Sequence, residues 1–133
     1  MKIDSEISEF TSAIGATVPV PGDENYGIWR SLFKRGNYFQ FGEQIMVVKI
    51  SRIEKPFWGV RKLFVDLLNN FDDYFLVLLT PKGSGWVFRK PQINGFVGNG
   101  TWKEGANGDY KINWPLPDRY HFRSPDDFLK RFC

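Results

Sequence analysis

The stretch QIMVVKISRIEKPFWGVRKLFVDLLNNFDDYFLVLLT, residues 44–80, changes its hydrophobic period along its length. QIMVVKISRI (44–53) is rich in β-branched residues and reads as a strand. Pro56 interrupts it. From about Gly59 to Phe71, the residues Val60, Leu63, Phe64, Leu67, Leu68 and Phe71 recur at helical spacing. DYFLVLLT (73–80) is then almost continuously apolar, as expected for a central strand buried on both faces. One feature goes against this pattern. Lys49 interrupts the first apolar run, and Arg52, Lys55, Arg61 and Lys62 surround the pair Phe57-Trp58.

Outward from this stretch, Asp4 or Ser5 can cap a first helix with Ile3, Ile7, Phe10 and Ile14 on one stripe. Gly15 is placed to end it. VPVPGDENYG (18–27) reads as a loop, and GIWRSLF (27–33) and NYFQF (37–41) as strands joined by the turn Lys34-Arg35-Gly36. Downstream, PKGSG leads into the strand WVFRK (86–90), and 91–97 suits a short helix. The glycine-rich GFVGNG (95–100) matches no phosphate-binding pattern and reads as a loop. TWKE and DYKIN suit a hairpin around Asn107-Gly108, WPLPDRYHF is a loop broken by prolines, and SPDDFLKRF is a helix capped by Ser124. The expected class is α+β. It is a single domain over residues 1–133, with a mixed β-sheet flanked by helices: helix, three strands, helix, two strands and a small α/β appendage.

The 133 residues are enough for one core without staples. Charges in the first ten residues do not suit a signal peptide, and no apolar run reaches the roughly 18 residues of a membrane span. The lone cysteine, Cys133, and lone histidine, His121, leave no cysteine- or histidine-rich metal cluster. A cytoplasmic protein without metal, cofactor or membrane partner is expected. Net charge is only +3, but residues 27–64 carry eight cations against Glu43 and Glu54. Such a basic segment suggests a phosphate-binding patch.

Helix, three-strand meander, helix and strand, with Lys49 in the third strand, resembles the restriction-endonuclease-like (PD-(D/E)xK) fold over about residues 4–90. In that family an acid near the second strand and an (Asp/Glu)-x-Lys on the third hold the catalytic metal. Lys49 stands where the family's lysine would be, but Val47 holds the carboxylate position, and the second strand offers Asn37 and Gln40. Glu43, six residues from Lys49, lies about 20 Å along a strand, too far to share a metal. The resemblance therefore implies a nuclease-like domain with a degenerate site, acting in a restriction or defence system.

Rings interleaved with cations add to that reading, because bases stack on aromatic faces while cations follow phosphates. The expected nucleic-acid-binding residues are Lys49, Arg52, Lys55, Trp58, Arg61, Lys62, Arg89 and Lys90, with DNA as the expected ligand. Two alternatives stand beside it. One is a protein-interaction module of the immunity or inhibitor type, which takes the lead if Trp58 is buried. The other is a Mg²⁺-dependent nuclease that draws on Asp73 and on the Asp109-Tyr110-Lys111 tripeptide.

Overall fold

The computed structural model describes residues 3–22, 26, 27, 30 and 37–133. Its centre is the apolar run anticipated from the sequence. Tyr74–Thr80 (β4) is the middle strand of a five-stranded mixed sheet in which six consecutive residues are buried. It pairs in parallel with Gln44–Ile50 (β2) and antiparallel with Ser84–Arg89 (β5). Tyr38–Phe41 (β1) flanks β2, and the two-residue strand His121–Phe122 (β8) flanks β5, giving the order β1-β2-β4-β5-β8.

Strand alternation sorts the core into two layers. Phe75, Val77 and Leu79 of β4 face a helical layer made by Ser5–Ile14 (α1) and Pro125–Phe132 (α4), where Ile7, Phe10 and Phe128 are buried. Tyr74, Leu76 and Leu78 face the opposite way. They pack on Trp58, Val60, Tyr110 and Ile112 of a second, three-stranded sheet, and on Val65, Leu68 and Ile93 of two short helices. Those helices are Lys62–Leu68 (α2) and Lys90–Gly98 (α3). The small sheet runs β3-β7-β6, from Phe57–Arg61 (β3), Asp109–Asn113 (β7) and Lys103–Glu104 (β6). The architecture is α+β, with the central sheet covered by helices on one side and by sheet plus helices on the other.

Local chemistry explains most ends. Asp4 caps α1 by accepting from the amides of Glu6 and Ile7, and Gly15 closes it at φ 81, a conformation glycine adopts without strain. Ser124 caps α4 by accepting from Asp127 N–H. At Gly85 the backbone of β4 leaves no room for a side chain: a Cβ there would lie 2.3 Å from the Leu78 carbonyl oxygen.

Three expectations need correction. The helix expected from Gly59 begins at Lys62, because residues 57–61 are strand β3 paired to β7. Period two there puts Trp58 and Val60 inside and Phe57, Gly59 and Arg61 outside, which the helical spacing starting at Val60 disguised. WPLPDRYHF is not wholly loop, since His121-Phe122 forms the edge strand β8. GFVGNG is not wholly loop either, since α3 continues through Gly98. The strand expected at 27–33 lies largely outside the described residues; Gly27 and Arg30, which are described, are helical. The turn at Lys34-Arg35-Gly36 is outside them altogether.

Candidate interaction surface

The eight residues singled out for nucleic-acid contact do not form one face. Trp58 is 2% exposed, packs edge-on against Trp86, and donates its indole N–H to the Leu79 carbonyl at 3.1 Å. The exposed corner expected at Phe57-Trp58 is therefore a strand that turns one ring in and the other out. Arg52 leaves β2 toward the helical layer, where Nη2 is 2.6 Å from Asp4 and Nε 2.9 Å from Glu6. That contact is the main cause holding the Asp4 carboxyl below its ordinary range, and it raises the Arg52 guanidinium in turn. Lys90 donates to the carbonyls of Asn69 and Phe71, at 3.0 and 2.7 Å, closing the chain after α2. Arg89 is 2.6 Å from Asp73 and lies over the Phe75 ring at 4.3 Å, on the helical side of β5.

The remaining four are nearer the small sheet or the chain around it. Lys49 is half-buried on the β2 face that carries Ile45 and Val47, toward the small sheet, so its register is as the alternation required. Lys55 is exposed in the loop 51–56. Arg61 Nε stands 3.9 Å from Asp109, and Lys62 Nζ 3.8 Å from Glu104, both loose surface pairs. Among the described residues, no group of three or more His, Cys, Asp or Glu side chains could hold a metal ion.

Different segments of the chain meet at one end of the small sheet. The loop 51–56 is pinned at its base, where Ser51 N–H donates to Leu79 O and Ser51 Oγ accepts from Phe57 N–H. Trp114, just after β7, donates its N–H to the Pro56 carbonyl, and Phe57 lies opposite Asn113. The segments so tied carry three exposed apolar side chains: Ile53 at 60%, Trp114 at 48% and Phe57 at 40%. The Lys111 ammonium is 5.8 Å from the Phe57 ring centroid, and Lys111 sits directly across the ladder from Lys103.

Beside this end is a hollow of about 290 Å³, with Phe88, Phe96 and Trp102 on its wall and Lys111 and Asn113 at its border. Phe57 was visible in the sequence as an aromatic beside a proline. Trp114 and Ile53 were not. Trp114 lies in a proline-broken segment and Ile53 at the end of the run read as a strand, and neither exposure follows from neighbouring residues. No family model matches the chain, and neither the curated proteins nor the solved structures give a match.

Proposed function

We propose that this protein is a protein-interaction module, docking a partner through the end of the small sheet as a small immunity or inhibitor protein does. One observation supports the reading: Ile53, Phe57 and Trp114 are each exposed, on segments tied to one another by hydrogen bonds at Ser51, Pro56 and Phe57. Large apolar side chains left exposed on a fixed frame are candidates for contact sites, and aromatic side chains are the usual anchors of protein interfaces. The neighbouring hollow offers a recess for an apolar side chain of the partner. Internal use of Arg52, Arg89 and Lys90, and burial of Trp58, remove support from a basic stacking face.

The nucleic-acid reading keeps one specific observation. Lys103 and Lys111 face each other across β6 and β7, an arrangement disfavoured unless an anion relieves it, and Phe57 lies beside them. The nuclease-like reading draws on Lys49 and on Asp109-Tyr110-Lys111, but Asp73 already engages Arg89 and Asp109 faces Arg61.

Titrating a fluorescent single-stranded oligonucleotide at two salt concentrations separates the first two readings. The interaction reading expects no saturable binding at about physiological salt, where phosphate-driven affinity persists but falls steeply as salt rises. Salt-dependent binding that Lys111→Ala weakens would give the nucleic-acid reading the lead.

A further inference from the structure

A second hollow, of about 190 Å³, opens beside β5 and α4, and Tyr120 on its lining packs against Phe88 and Phe96 of the first. Its apolar wall is formed by Phe75, Val87 and Phe132, and Arg89, Gln92, Arg119 and Tyr120 complete the lining. We propose that this hollow binds a small monocarboxylate whose apolar body is about one ring in size.

The charge arrangement supports an anion. Arg89 gives one Nη to Asp73, and its plane lies against the Phe75 ring, while its Nε is buried without a hydrogen-bond partner. Arg119 is exposed, lies over the Tyr120 ring at 5.0 Å, and forms no ion pair among the described residues. Two guanidiniums thus meet one carboxylate at the hollow, leaving one positive charge unmatched.

Guanidinium forks match the planar carboxylate group, and stacked arginines keep their edges free to bind it. The apolar wall and small volume then select the rest of the ligand. Drug-sized ligands occupy hollows of roughly 300–1,000 Å³, so this one suits a single-ring or short branched acid. A doubly charged phosphate is a poor fit, because it would set its charge against Phe75, Val87 and Phe132. Val87 and Arg89 point to the helical face of β5, so this site is independent of the surface formed by Ile53, Phe57 and Trp114.

The test is an amide-resolved NMR titration with phenylacetate, phenylacetamide, inorganic phosphate and a short peptide ending in phenylalanine. Phenylacetate is expected to give saturable shifts at Gln92 and Tyr120. Phenylacetamide and phosphate should give none, and the peptide no tighter binding than phenylacetate. Arg119→Met should weaken phenylacetate by about tenfold or more, as expected for loss of a charged hydrogen bond, with an unchanged melting temperature. Equal binding of the amide, preference for phosphate or for the peptide, or no saturable shift with phenylacetate would overturn the proposal. So would an Arg119→Met variant that folds and binds phenylacetate as before.

Discussion

Trp58 shows how adjacent residues of the same type take opposite roles. In β3 its ring is driven between the two sheets while Phe57 is turned to solvent. Trp58→Ala should cost roughly 3–5 kcal/mol in urea unfolding, as large-to-small changes in cores do. Trp58→Phe should cost much less, about 1 kcal/mol, because Leu79 O keeps the Ser51 amide as a donor. Asp4 works twice, one oxygen capping α1 and the other meeting Arg52. Its carboxyl is held below the ordinary 3.8, so its ionised form favours the folded state. That contribution is complete above the unfolded value and is lost as pH falls through the lowered folded one. The stability gap between wild type and Arg52→Met should therefore narrow as pH is lowered from about 5 to about 2, measured by denaturation at each pH. A gap independent of pH would mean that Arg52 acts through packing alone.

At the scale of elements, much was legible because its signals are local. The Asp4 and Ser124 caps, the glycine that ends α1, the unbroken apolar run of β4 and the hairpin of β6 and β7 all follow from neighbouring residues. β3 and β8 were not legible, since each is short and defined by a distant partner: β3 pairs with β7, and β8 with β5. The ion pairs were illegible for the same reason. Arg52 meets Asp4 and Glu6 across the fold, and nothing near it in sequence announces that. Lys90 gives the clearest element-scale test, because its ammonium holds two carbonyls after α2. Lys90→Met should destabilise by roughly 1–3 kcal/mol, with the earliest amide exchange appearing around residues 69–71. Gly85→Ala should also destabilise, since its Cβ would press on the Leu78 backbone across β4 and β5.

At the scale of the molecule, the two-layered core leaves two unlike surfaces. One is the apolar end of the small sheet, and the other is the arginine-lined hollow beside α4. The composition already indicated a basic, aromatic-rich chain, yet most of the rings proved to be core and several of the cations internal ties. Among the described residues, no helix is long and apolar enough to cross a membrane. On the proposed reading, Ile53, Phe57 and Trp114 contribute to a docking surface for another protein. Replacing Phe57 and Trp114 by serine should leave the melting temperature nearly unchanged, as exposed side chains permit, while removing that contact. The most direct measurement is photo-cross-linking in the native cell from a benzophenone side chain at position 57, compared with one at the exposed Lys130 on α4. A discrete protein adduct from position 57, absent from position 130 and abolished by Trp114→Ser, is the predicted result. A nucleic-acid adduct from position 57, or the same adducts from both positions, would contradict it.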